Sequence, residues 1–348
     1  MVRMTSSPLI AAALLLAAAL AGVPQRAAAQ DLNGAVIVQY HRFGENDVPA
    51  TNIRLEQFEE QLAELKKAQY TVLPLAEIVD ALRTGRKLPD RTVAITIDDA
   101  YTSSYTQAWP RLKAAGFPFT IFVSTDIVDA RTPRYLSWAQ IKEMADAGVT
   151  IGGHGAAHGH MPDLTPDAIA ADLARSARSY QEHLGKVPTL FAYPFGEMSL
   201  PAREAVQKAG YVAAFGQHSG VADAGGDMYF QPRFAFDEAY GTIDRFVLAV
   251  NALPMGAREM MPLDPVLRGT ANPPAFGFTV APGVTRVEQV NCFPSNGAAA
   301  KVERLDRRIE VRLDKPYAAG GYPRINCTVP AGNNRWRWFG YQFYVPGK

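Results

Sequence analysis

The sequence predicts an α/β fold built on a parallel sheet, open or closed into a barrel, followed by a smaller β-rich domain. Three observations lead there. Short β-branched runs alternate with amphipathic stretches from Ala35 to about Leu253. The runs are apolar throughout, as expected of strands covered on both faces by helices. After Pro254 the helical stripes vanish, and Pro, Gly and Asn punctuate short β-like runs. Six or seven strand–helix units imply a parallel sheet, but periodicity does not choose between an open sheet and a barrel.

The strands, in order, are expected at Ala35–Tyr40, Val93–Ile97, Phe119–Val123, Val149–Ile151, Thr189–Ala192 and Val212–Phe215. Helices lie between them. Phe58, Leu62 and Leu65 recur on one helical face. Ser137 with Gln140 forms a capping box, and that helix closes at Gly148. Thr165 caps a helix with Pro166 at its first position, whose stripe of Ile169, Leu173, Tyr180 and Leu184 stops at Gly185. Ser199 and Gly210 bracket another. Residues 255–274 read as a linker, and 275–348 as a small antiparallel β domain containing both cysteines, Cys292 and Cys327.

The 348 residues suffice for two domains, and 48% hydrophobic with 20% charged residues excludes a disordered chain. Residues 1–29 read as a cleaved signal peptide. Arg3 is the positive n-region, Leu9 to Val23 an uncharged apolar run, and Ala27-Ala28-Ala29 the small-residue cleavage site. The run is shorter than the ~20 residues a spanning helix needs. Cleavage removes Arg3 and Arg26 and no acid, so the net charge moves from +1 to −1. Such a balanced chain has no basic field for nucleic acid and no polybasic patch for membranes. Export to the periplasm or beyond also favours a disulfide between the two cysteines, since that compartment is oxidising.

Two strand ends carry chemistry. Asp98-Asp99 follows the second strand directly, where parallel α/β folds place reactive groups. Alone, an Asp-Asp pair is more often a solvated turn or a helix cap. His154 and His158 follow the fourth strand, four residues apart, within Gly-Gly-His-Gly-Ala-Ala-His. Two imidazoles and one carboxylate would give three metal ligands with a position open for water. His-x3-His is by itself a weak pattern, and with four of the six histidines elsewhere chance clustering is a real alternative.

Together these residues resemble the polysaccharide deacetylase family, the NodB-homology domain of carbohydrate esterases. Thr96-Ile97-Asp98-Asp99-Ala100 is similar to its first motif, usually T-F-D-D-G, and His154–His158 to its H-x3-H motif. Phe191-Ala192-Tyr193-Pro194-Phe195-Gly196 is similar to its third, and Tyr40-His41 to the Y-H opening of exported members. The resemblance implies an irregular (β/α) barrel of about seven strands over residues 30–254. It also implies that Asp98 is the general base and that Asp99, His154 and His158 hold a divalent metal. That metal is usually zinc, with cobalt or similar ions also serving. Tyr193 and Phe195 would line the sugar groove, and the Phe195 N–H would face the oxyanion.

Two departures bear on the mechanism. The third motif usually carries an Arg that orients the base, and Ala192 stands there; Arg233, in Gln231-Pro232-Arg233-Phe234, could supply that charge from another direction. The family's closing L-x-x-H, source of the catalytic acid, has no counterpart, because no histidine follows His218. His218 and then His41, each at a strand end, are the candidate replacements, and a structural role is as good a reading for each. His160 and His183 read as structural, although His160 replaces His158 as a ligand if the loop register differs. In the tail, Trp336, Trp338, Tyr341 and Phe343 give either a sugar-stacking face or an edge packed on the barrel.

The function implied is removal of acetyl groups from an N-acetylated polysaccharide by a periplasmic or secreted enzyme. A carbohydrate-binding protein on the same scaffold and an O-acetyl esterase are the alternatives.

Overall fold

The computed structural model describes residues 1–2 and 32–347. The expected signal peptide lies outside them, apart from Met1 and Val2. Six parallel strands form the main sheet: β1 (Gly34–Tyr40), β2 (Thr92–Asp98), β3 (Phe119–Val123), β4 (Thr150–Gly153), β5 (Leu190–Ala192) and β6 (Ala213–Phe215). They are neighbours in sequence order, and antiparallel β7 (Ala222–Asp223) flanks β1 as the seventh strand of the curled sheet. Parallel pairing puts the C-terminal ends of these six strands on one rim, so Asp99, His154 and Tyr193 emerge at the same end of the sheet.

The seam between the first and last strands matters for the site. Gln231 bridges to Phe215 at one side, and β8 (Phe234–Ala235) pairs with Val38 and Gln39 of β1 at the other. Arg233 therefore lies on the segment that spans the seam.

The helices follow their punctuation. Trp138–Asp146 begins at the Ser137–Gln140 capping box, and Pro166–Leu184 begins at Thr165 and ends on left-handed Gly185. Leu200–Lys208 is capped by Ser199. Phe58, Leu62 and Leu65 of Leu55–Leu65 are buried against β1 and β2 residues such as Val38 and Ile97. Burying one such side chain is worth about 1.5–3 kcal/mol. Gly152 and Gly153 read as loop in the sequence but complete β4. A β-carbon on Gly152 would meet the Phe122 ring at 2.3 Å, so glycine is needed for the close approach of β4 to β3.

Beyond the barrel, two four-stranded sheets face each other. One contains β9 (Leu253–Pro254), β12 (Asn291–Pro294), β15 (Arg324–Gly332) and β16 (Arg335–Gln342). The other contains β10 (Ala257–Met261), β11 (Phe276–Val280), β13 (Ala300–Leu305) and β14 (Arg308–Leu313). The expected linker 255–274 thus needs correcting at its start. Ala257–Met261 is an edge strand on Phe276–Val280, disguised in the sequence by a register shift and the prolines after it. Cys292 and Cys327 are bonded and are direct cross-strand partners of β12 and β15.

The tail's aromatic residues mostly face inward. Trp338 meets Phe234 of the barrel edge-on at 5.2 Å, Tyr341 and Phe343 are buried, and only Trp336 of the four is exposed. Their packing fixes the β domain against the barrel rim. A β-carbon on Gly340 would come within 2.1 Å of the Ser219 carbonyl oxygen.

Candidate active site

At the end of β2 the chain turns through two left-handed residues, Asp99 (φ 72°) and Ala100 (φ 53°). His158 (φ 52°) and Phe195 (φ 57°) share that conformation. Each such non-glycine residue costs of order 1 kcal/mol or more, and four around one rim mark a site whose geometry the surroundings impose. The turn divides the two carboxylates between different neighbours.

Asp99 faces the histidines. Its Oδ1 lies 3.0 Å from His158 Nε2 and 3.4 Å from His154 Nε2. Ligand atoms of the three residues all fall within 4.8 Å of one another. Yet Asp99 Oδ1 and His154 Nε2 are buried with no hydrogen-bond partner. Orphaned acceptors so close together suit a cation between them, since a tetrahedral zinc at ~2.1 Å from each ligand spaces the ligands roughly 3.4 Å apart.

The supporting contacts agree. His154 Nδ1 lies 2.6 Å from the Ala192 carbonyl oxygen, which only an N–H can satisfy, so the Nε2 lone pair is left facing Asp99. Asp172 accepts from the Ala156 and Ala157 N–H groups at 2.8 and 3.0 Å, bracing the loop between the two histidines.

Asp98 faces the barrel interior. Arg233 donates to both its oxygens, at 2.7 and 2.8 Å, and Gln39 Nε2 donates to Oδ2 at 2.7 Å. Arg233 is itself fully buried, anchored by bonds to the Gly216 carbonyl and Thr96 Oγ1. Burial pushes the Asp98 carboxyl up, but the Arg233 charge and its paired hydrogen bonds outweigh that and hold it below the ordinary carboxylate range. The charge missing at Ala192 is thus supplied from the seam.

The remaining candidates divide. His41 sits beside the carboxylates: Gln39 Nε2, bound to Asp98, is 3.5 Å from His41 Nε2. Burial, with Arg233 and His154 nearby, lowers its pKa, and the pull of Asp99 and Asp98 offsets this only in part. Phe195 stands on the rim between His158 (4.6 Å) and His160 (4.3 Å, stacked). His160 is not in the Asp99 cluster; its Nδ1 bonds Glu197 at 2.7 Å. His183 stacks on Trp138, as a structural imidazole would.

Tyr193 is a correction. It is wholly buried among Phe191 and Phe230, and its hydroxyl donates to the Tyr229 carbonyl, so it lines core and not groove.

His218 is a second correction. Its ring packs on Phe230 at 4.4 Å and near Tyr341, it is buried, and among the described residues no carboxylate pairs with it. Burial, with Arg324 and Arg233 nearby, pushes its pKa down to about 3, so the ring is neutral in the fold and unsuited to donate a proton as an acid. This has a consequence for stability. Because the folded pKa is depressed, the contribution is complete above the unfolded value near 6.5 and is lost as pH falls toward 3. Urea titrations at pH 7 and 5 should show His218→Phe losing about 2 kcal/mol less than wild type. Equal losses would contradict the buried neutral assignment.

Gln39, Asp172 and the Ala192 carbonyl escaped the sequence reading. Gln39 left a trace, as the one polar residue inside Val36–Tyr40.

Comparison with known proteins meets this geometry directly. Residues 85–214, which hold Asp98, Asp99 and both histidines, match the polysaccharide deacetylase family. The chain carries a polysaccharide deacetylase domain. With it, the chain stands among the polysaccharide deacetylase enzymes. YxkH of Bacillus subtilis (strain 168) is 28% identical over 56% of this chain and 68% of its own length. The poly-beta-1,6-N-acetyl-D-glucosamine N-deacetylase of Escherichia coli (strain K12) is 27% identical over 55% of this chain. That match spans only 35% of the E. coli protein. IcaB from Ammonifex degensii superposes with a TM-score of 0.56 at 26% identity, covering 63% of this chain and 98% of that one. Its match agrees with the curled (β/α) sheet seen here.

Proposed function

We propose that this protein is a metal-dependent hydrolase that removes acetyl groups from an N-acetylated polysaccharide of poly-N-acetylglucosamine type. One observation carries the reading. Three orphaned or nearly orphaned ligand atoms of Asp99, His154 and His158 converge beside a second carboxylate, Asp98, held ionised by Arg233.

A divalent ion held by that triad, zinc by the nature of its donors, would supply Lewis acidity that brings a water's pKa toward ~7 and polarises the amide carbonyl. Asp98 takes the proton from the attacking water, because it is ionised and next in sequence to a ligand without being one. Arg233 and Gln39 fix its orientation. The Phe195 N–H faces the developing oxyanion. His41, one amide nitrogen from Asp98, passes on to the leaving amine the proton that Asp98 takes from water, so the ring need not be charged at the outset. The Phe195 ring and the rim by His41 bear on the sugar.

Export is part of the proposal, since the Cys292–Cys327 bond suits an oxidising compartment. Among the described residues no helix is long and apolar enough to cross a membrane.

The test is acetate release from poly-β-1,6-N-acetylglucosamine, chitin oligomers, peptidoglycan and acetylated xylan, with His41→Asn in parallel. Release from the N-acetylglucosamine polymers, weakened by about 100-fold in His41→Asn, is expected. Release from xylan alone would replace the amidase by an esterase. Glycan binding without acetate release would leave only a binding protein.

A further inference from the structure

We propose that Gln342, at the end of β16 in the C-terminal β domain, is a positioning residue of the barrel's reaction site. Its Nε2 donates to the Phe195 carbonyl oxygen at 2.8 Å, across 147 residues of sequence. Phe195 is the left-handed residue whose ring lies between His158 and His160, and whose N–H the proposed reaction uses. A peptide plane is rigid, so holding one residue's carbonyl limits how that residue can rotate. A non-glycine residue at φ 57° keeps that conformation only where its surroundings demand it. Gly196 is packed from behind by the Gln217 backbone, where a β-carbon would lie 2.4 Å from Gln217 N. Gln342 supplies the restraint on the other side.

The bond does not serve β16 itself. Gln342 is already paired with Arg324 across the sheet, and the next N–H, of Phe343, bonds the Pro323 carbonyl at 2.8 Å. Gln342 is also buried, and its Oε1 finds no partner. An apolar side chain would fill such a place without leaving an unmet acceptor, so an amide there costs stability and fits a positioning role. The β domain is then a working part of the site.

This inference rests on the proposed deacetylase reading. Gln342→Leu, Gln342→Glu and Gln342→Asn remove the bond by deleting the donor, replacing it with a carboxylate of equal size, or withdrawing it by one methylene. Each should lower kcat for N-acetylglucosamine oligomers at least tenfold, with KM and bound metal per chain within twofold of wild type. A mere strut would lower the melting temperature and leave kcat alone. Wild-type kcat in the folded variants, or failure of all three to fold, would overturn the positioning role while an active wild type keeps the deacetylase. A wild type that releases no acetate overturns both.

Discussion

Replacing Arg233 with methionine should destabilise the protein by about 3–5 kcal/mol, the usual cost of leaving a buried charge unpaired. Asp98 and Arg233 are both wholly buried, and the guanidinium is the only cation bonded to that carboxylate among the described residues. Without it, burial, the largest influence on Asp98, is opposed only by the Gln39 hydrogen bond and the imidazoles of His154 and His41, and the pKa should rise. The pH dependence then changes sign. In the wild type the folded pKa is depressed, so the contribution is present above the unfolded value near 3.9 and lost as pH falls through the folded one. In Arg233→Met the folded pKa lies above the unfolded one, so the penalty is greatest at neutral pH and shrinks in acid. Denaturant unfolding at pH 7 and 4.5 reads both effects. Adding Asp98→Asn to Arg233→Met should recover much of the stability, because no charge is left to strand. A deficit that is small, or equal at both pH values, would show that the pair does not work this way.

The second large effect is catalytic. Asp98→Asn should lower kcat by about 10³-fold while bound metal stays at the wild-type level, because Asn cannot accept the proton and Asp98 is not a ligand. Stability should fall as well, because Asp98→Asn strands the buried Arg233 charge and sets an NH2 against donors that now meet two oxygens, so kcat is read on protein shown to be folded. Metal content by elemental analysis and kcat on the same preparation separate the roles of Asp98 and Asp99. Loss of metal in Asp98→Asn would move that residue into the ligand set, and activity within tenfold of wild type would remove it as base.

How much of this was legible depends on how far apart the partners lie. Asp98-Asp99 and His154–His158 are local signals at the same ends of parallel strands on either side of Phe119–Val123, so finding the strands brought them to one rim. Arg233 was legible as a charge beside a late strand, although only the seam shows why its side chain points inward. His218 looked equivalent, but a strand-end position does not say which side of the loop the ring takes, and Phe230 took it into the core. Tyr193 failed for a related reason: its motif marks the rim, while its backbone is still bonded to Phe215 and carries the ring inward. Gln342 could not be read at all, because its partner exists only once two domains have packed.

The central claim is that Asp99, His154 and His158 hold a metal on which deacetylation depends. The most direct measurement is acetate release from an N-acetylglucosamine oligomer by protein stripped with chelator and then titrated with zinc. The account predicts no release from the stripped protein and recovery that saturates at one ion per chain. Asp99→Ala, treated alike, should neither bind that ion tightly nor recover. Full activity in the stripped protein, or recovery in Asp99→Ala equal to wild type, would contradict it.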